Sequence, residues 1–212
     1  MLQYVSTPKN LGRPATYEDL LEVPDHLVAE IIDGELYTSP RPAPRHAVAE
    51  SVLAAELIAP FQKGQGGPGG WWIITEPELH LGSDILVPDC AGWHRKRMPE
   101  LPETAFFSLA PDWVCEVLSP STARMDRAKK LRIYARERVA HAWLLDPIAR
   151  TLEILSRNGK NWMIQATYSA EDCVRAVPFD AIEIALPYLW GETPAPVQHW
   201  ILQDAPTKPY GP

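Results

Sequence analysis

Trp113-Val114-Cys115-Glu116-Val117-Leu118-Ser119-Pro120 is the stretch that decides the fold. Five of six consecutive positions are apolar and the sixth is a carboxylate, and Ser-Pro ends the run, which reads as a buried strand. Strand alternation places Val114, Glu116 and Leu118 on one face and Trp113, Cys115 and Val117 on the other. An ionised carboxylate in such a strand needs a partner. Ile85-Leu86-Val87-Pro88-Asp89 opens a second apolar run, read as one strand from Ile85 to Trp93. Because Pro88 donates no hydrogen bond, Asp89 is expected at an edge or bend, projecting into a cleft. Two carboxylates on neighbouring strands repel unless a proton or cation intervenes. A hard dication with oxygen ligands, Mg²⁺ or Mn²⁺, resolves the conflict and can activate water against a phosphate. Taken singly, each residue also has a plainer reading: Pro-Asp as a turn, and Glu116 paired to an arginine.

Upstream, Thr16 can cap a short helix with Asp19 three residues on. Asp33-Gly34, between the apolar runs of Leu27–Ile32 and Glu35–Tyr37, predicts a hairpin. A Pro-rich connection, Ser39 to Pro44, precedes a helix read over Ala47–Phe61. The Gly-rich stretch Gln62–Gly70 follows a helix, so it reads as a loop and not as a phosphate cradle. Trp71–Thr75 and Glu78–Leu81 read as strands, and Arg95–Pro111 as loop. Downstream, Asp126–Arg138 has helical propensity, with Leu131, Tyr134 and Ala135 at core-facing spacing. Ala142–Pro147 is a further buried strand, and Thr151–Leu155 with Trp162–Tyr168 form a hairpin around Asn158-Gly159. The expected architecture is α/β, a mixed sheet flanked by helices. Its divisions are an N-terminal extension at 1–15, one domain at 16–190 and a Pro-rich tail at 191–212.

The chain has 212 residues, 46% apolar and 22% charged, enough for one substantial core. The three cysteines lack metal or redox spacing and read as reduced, buried thiols. With no apolar segment of membrane-spanning length and no signal-like N-terminus, a cytoplasmic protein with no membrane association is expected. A net charge of −7 argues against a broad nucleic-acid-coating surface without excluding an acidic metal site. The basic clusters Arg95-Lys96-Arg97 and Arg124 to Arg138 read as solvated faces. None of the six histidines stands at metal-ligand spacing to another; His46 opens the second helix, where it reads as solvated, with approach to a phosphate as the alternative. Trp71 and Trp72 cannot share a strand face, so one of them is expected against a partner subunit.

Several segments together carry a family resemblance: Tyr17-Glu18-Asp19-Leu20, Glu30-Ile31-Ile32-Asp33-Gly34-Glu35-Leu36, Val87-Pro88-Asp89 and Glu116-Val117-Leu118-Ser119-Pro120-Ser121-Thr122. Asp126, Lys130, Tyr134 and Ala142-Trp143-Leu144-Leu145-Asp146-Pro147 continue it. Over Thr16–Leu189 the chain resembles the Uma family of restriction-endonuclease-like proteins, within the PD-(D/E)xK nuclease superfamily. The resemblance implies a restriction-endonuclease-like fold, with Asp89 and Glu116 binding Mg²⁺ or Mn²⁺ and the backbone carbonyl of Val117 as a further ligand. It implies metal-dependent endonucleolytic hydrolysis of phosphodiester bonds in nucleic acid, DNA foremost. A homodimer is expected as well.

One position departs from the superfamily pattern. Leu118 stands where a lysine is usual, two residues after the glutamate. The resemblance points to Lys130 on the following helix as the displaced lysine, against the alternative of an exposed pair with Asp126 one turn away. Glu30 is the fourth candidate, an auxiliary carboxylate that could bind a second metal or orient water, or else an edge-strand charge. Leu118 and the acidic balance favour a rival reading: a nuclease-fold protein that no longer cleaves and serves as a dimeric binding or scaffold module. Hydrolysis of a small phosphoester is a third.

Overall fold

Asp33 and Gly34 take positive φ values of 54° and 78°, the backbone that a two-residue hairpin turn demands. They fold β1 (Leu27–Ile32) antiparallel onto β2 (Glu35–Pro40), with Ile32 opposite Glu35. The computed structural model describes Lys9 and residues 11–192. The tail expected from Gly191 therefore lies outside the described residues from 193 onward, as does most of the expected N-terminal extension. Ahead of the hairpin, Thr16 precedes α1 (Tyr17–Leu21), and the Asp19 carboxylate accepts its N–H at 2.8 Å.

The single strand read over Ile85–Trp93 is two strands in two sheets. β5 (Asp84–Leu86) joins β1, β2 and β4 (Leu79–Leu81) in a four-stranded sheet of order β2-β1-β5-β4. β6 (Cys90–His94) belongs to a six-stranded sheet. The break has a simple cause. Pro88 has no N–H for a ladder, and the Val87 N–H is taken by the Glu30 carboxylate at 2.8 Å. Asp89 thus stands at the seam between the sheets.

The larger sheet runs β10-β9-β8-β7-β6-β3, comprising β3 (Trp71–Thr75), β6, β7 (Trp113–Val117), β8 (His141–Asp146), β9 (Thr151–Asn158) and β10 (Asn161–Ser169). Only the β7–β8 pairing is parallel, and a parallel neighbour requires a crossover. The crossover is helical: α3 (Ala123–Met125) passes through a wide π-helical turn (Asp126–Lys130) into α4 (Leu131–Arg136).

The alternation read in β7 sorts its side chains into two cores. Trp113, Cys115 and Val117 face α2 (Pro44–Leu57) through Ala49, Leu53 and Leu57. Val114 and Leu118 face α4 through Leu131, Ile133 and Tyr134. Cys90 and Cys115 are buried and free, and Cys173 is free and exposed. Trp71 is buried, while Trp72 donates its indole N–H to the Met98 carbonyl at 2.9 Å and lies 3.7 Å beneath the Arg95 guanidinium. Trp72 is therefore half-buried against its own chain. Among the described residues, no helix is long and apolar enough to cross a membrane.

α2 begins at Pro44, earlier than read, because proline suits the first helical position, where its missing N–H costs nothing. The helix ends in a π-helical turn, Ile58–Gln62, around the second donor-less residue, Pro60. The loop beyond returns over that turn at Gly67, where a Cβ would sit 2.4 Å from the Pro60 Cβ and 2.9 Å from its Cα. Gly67→Ala is expected to cost about 1–3 kcal/mol through this overpacking. Urea unfolding reads it as a lowered midpoint at constant slope; an unchanged midpoint would contradict the close approach.

Candidate active site

The end of β7, the β5–β6 seam, the start of α2, β1 and the π-helical turn converge on one cleft. Glu30, His46, Asp89, Glu116, Asp126 and Lys130 all line it. Each arrives for a local reason. Glu116 lies on the α4-facing side of β7, as alternation requires. Asp89 follows the proline that ends β5. Glu30 is on β1, which pairs with β5. The wide turn carries both Asp126 and Lys130 inward, so that both are buried. π-Helical insertions recur at functional positions.

Lys130 is at the centre and only 3% exposed. Its Nζ donates to Glu116 Oε2 at 2.9 Å and to the Val87 carbonyl at 3.2 Å. It lies 3.0 Å from Glu30 Oε1 and 3.7 Å from Asp126 Oδ1. The structure thus brings Lys130, Glu116 and Glu30 together, and the lysine's contact with Asp126 is buried instead of the exposed pair considered as the alternative. The other oxygen of Glu116 accepts from the Tyr134 hydroxyl at 2.6 Å. Asp89 is fixed to β7 by a different bond: its Oδ2 accepts the Val117 N–H at 2.6 Å.

The position of His46 corrects the sequence reading. Its side chain is 11% exposed and its Nε2 lies 3.2 Å from Asp89 Oδ1, so it is not a solvated residue at a helix end. Glu50 follows one turn later on α2. The ligand-type atoms of His46, Glu50 and Asp89 all lie within 4.8 Å of one another; Glu116 is not part of that set. His46 and Glu50 are the functional candidates that sequence reasoning missed. Their signal was present as His46-Ala47-Val48-Ala49-Glu50, an i,i+4 pair. With the helix read from Ala47, His46 stands only at its opening, and the pairing with Glu50 one turn on is not drawn.

The cleft carries more negative charge than its cations match. Burial opposes the Lys130 ammonium, but Glu116 and Glu30 more than offset this and hold its pKa well above the ordinary lysine value. One ammonium cannot neutralise three carboxylates. Burial, against the pull of Lys130, therefore drives Glu116 well upward, with Asp126, Asp89 and Glu30 adding to the effect. Asp126 is pushed up to about 7 by burial, again against Lys130. Glu50 is pushed up to about 7 by burial and by the charges of Asp89 and Glu76. For His46, burial favours the neutral ring, but Asp89 overrides it and the net shift is upward. The metal-free cleft thus retains protons where a dication would replace them. Buried excess carboxylate, a backbone carbonyl at Val117 and an imidazole make a donor set that fits a divalent cation.

A pH dependence follows. Unfolded carboxyls titrate near pH ~4, whereas Glu50 and Asp126 hold their protons to about 7. Between these values the folded state binds more protons than the unfolded chain, so stability falls as pH rises through that window. His46, with its raised pKa, extends the loss in the same direction. Metal-free protein is expected to melt several degrees lower at about pH 8 than at about pH 5, and Glu50→Gln is expected to flatten the profile. A melting temperature that rises over this range would contradict the charge assignment.

Four further basic residues of the crossover helix are ion-paired. Arg127 pairs with Glu153, Lys129 with Glu35, Arg132 with Asp33, and Arg136 with Asp84 and Glu137. Of the other basic cluster, Arg97 pairs with Asp112.

Comparisons with known proteins agree on the kind of protein this is. The sequence model of the family Uma2, described as “Putative restriction endonuclease”, matches residues 14–186. A search of curated proteins returns no match. Among solved structures, the chain is similar to one described as a putative nuclease belonging to DUF820 from Anabaena variabilis. The two share 22% sequence identity at a TM-score of 0.67, over 84% of this chain and 98% of that one.

Proposed function

The chain belongs to the Uma2 family, and from that premise we propose that it is a divalent-metal-dependent endonuclease acting on phosphodiester bonds of nucleic acid, DNA foremost. One observation carries the reading: a single buried ammonium, Lys130, among the carboxylates of Glu30, Glu116 and Asp126, beside Asp89 at the mouth of the same cleft. Asp89, Glu116 and the Val117 carbonyl would hold Mg²⁺ or Mn²⁺, which supplies an activated water and neutralises charge on a phosphate oxygen.

The chain's own residues do the rest. The Val117 N–H orients Asp89, and Tyr134 orients Glu116. Lys130 presents a permanently charged ammonium next to Glu116, where it offsets negative charge building on the phosphate. Glu30 fixes both the lysine and, through the Val87 N–H, the bend that presents Asp89. Leu118 is buried in the core and takes no part, so Lys130 fills the role of the usual strand lysine. Homodimerisation and a cytoplasmic setting belong to this proposal as well.

The ion pairs of Arg127, Lys129, Arg132 and Arg136 favour a second reading, a nuclease-fold binding or scaffold module that does not cleave, because they leave little free charge there for a phosphate backbone. Incubation with single- and double-stranded DNA and RNA in the presence of Mg²⁺ or Mn²⁺ separates the two. Strand scission by wild type that Lys130→Gln abolishes supports the endonuclease. Neither scission nor retention of nucleic acid, under both metals, supports the module.

A further inference from the structure

We propose that a second cavity, beside the cleft, is a nucleotide subsite: Arg41 takes a backbone phosphate next to the one cleaved, and the cavity takes the attached base, unstacked. The proposal rests on the nucleic-acid reading above and adds a substrate class to it, single-stranded or locally unpaired nucleic acid. The cavity measures about 420 Å³, within the range of small-ligand sites. α1, β1 and the segment between β3 and β4 border it through Leu20, Leu27, Ala29 and Glu78. It is contiguous with the cleft, because Val28, Arg41, Glu76 and Val87 line both. A strand continuing out of the cleft on this side meets the cavity next.

Arg41 stands at that boundary. Pro42 after it restricts its backbone to extended geometry. Its guanidinium donates to the Asp25 carbonyl at 3.0 Å and lies 3.8 Å from the Glu76 carboxylate, with 57% of the side chain exposed. Arg127 and Arg132 are held at 2.5 Å by their carboxylates; Arg41 is not, and a phosphate can draw it away from so loose a pair. Glu76 takes a φ of 44°, a conformation that costs an L residue energy and recurs at functional sites. Its N–H donates to the Asp89 carbonyl at 2.9 Å, so the backbone of Asp89 fixes one edge of the cavity. The lining then decides which end of a nucleotide enters. Among the described residues that line the cavity, Arg41 is the one cation, against the carboxylates of Asp25, Glu76 and Glu78. Those carboxylates repel a phosphate and accept from an exocyclic amine, which cytosine, adenine and guanine carry and thymine lacks. A base enters only after leaving its stack, which is costly in a duplex and cheap in a single strand.

Fluorescein-labelled dodecamers of deoxycytidylate, of thymidylate and of abasic deoxyribose phosphate are the probes, titrated with the full chain in Ca²⁺ and read by anisotropy. Wild type should bind the deoxycytidylate strand about tenfold more tightly than the abasic one, with thymidylate between them. Ala29→Trp, which fills the cavity, should erase that difference and leave the abasic affinity unchanged. Arg41→Gln should weaken binding of all three strands and lower the salt slope by about 0.7, the share of one phosphate on a single strand. Circular dichroism should be unaltered in both variants, and the comparison of strands in wild type stands even if Ala29→Trp fails to fold. Equal affinity of wild type for base-bearing and abasic strands, or an unchanged salt slope in Arg41→Gln, would overturn the proposal. So would a duplex bound as tightly as its own single strand. The endonuclease reading fails differently. Binding with these preferences and no scission in Mg²⁺ or Mn²⁺ defeats that reading alone, whereas scission without these preferences defeats the subsite alone.

Discussion

Replacing Lys130 by methionine is expected to cost about 3–5 kcal/mol of folding stability, the penalty for removing one partner from a buried charge cluster. For a chain of this size that is a fall of roughly 6–20 °C in melting temperature. The reason is electrostatic. Lys130 is 3% exposed, and Glu116, Glu30 and Asp126 lie 2.9, 3.0 and 3.7 Å from its Nζ. Without it, three buried carboxylates face one another with no counter-charge and must take up protons to fold. The loss should therefore shrink on acidification, and Glu116→Gln in the same background should recover part of it. A cost below about 1 kcal/mol in thermal or urea unfolding would place the ammonium in solvent and contradict the buried network.

Addition of Mn²⁺ or Mg²⁺ to the wild type near neutral pH is expected to raise its melting temperature, and Asp89→Asn is expected to remove most of that gain. A ligand at about a hundred times its Kd stabilises by about 2.7 kcal/mol, or roughly 5–11 °C here. Asparagine is the informative replacement. Its side-chain oxygen can still accept the Val117 N–H that Asp89 accepts at 2.6 Å, so the β5–β6 seam keeps its hydrogen bond. Only the charge is lost. Metal-free Asp89→Asn should melt at or above the wild-type temperature, because one anion leaves a cleft that already has too many. An equal metal-induced shift in variant and wild type would place the cation elsewhere.

Much of this organisation was legible in the residues, for identifiable reasons. The Glu116 strand could be read because a short, continuous apolar run closed by Ser-Pro suits a buried strand far better than a helix. Alternation then sorted its neighbours correctly between the two cores. Asp33-Gly34 announced its hairpin through the backbone that only such residues adopt readily. What stayed hidden was set by tertiary context. The apolar run from Ile85 to Trp93 carries no mark that it serves two sheets; its division depends on Glu30, 57 positions earlier, capturing the Val87 N–H. The π-helical turn that buries both Asp126 and Lys130 has no local signal comparable to a proline or glycine. A helix boundary read three residues late set His46 at the solvated opening of the helix, and with it the i,i+4 pairing to Glu50 was lost. Trp72, read as a residue for a partner subunit, is half-buried beneath Arg95 and donates to the Met98 carbonyl of its own chain.

Strand scission under metal control tests the central claim most directly. Supercoiled and linear double-stranded DNA are incubated with wild type, Asp89→Asn and Lys130→Gln in Mn²⁺, in Mg²⁺ and in chelator. Cleavage by the wild type in metal alone, lost in both variants while each remains folded, is the predicted result. Cleavage that persists in chelator or in Asp89→Asn would contradict it.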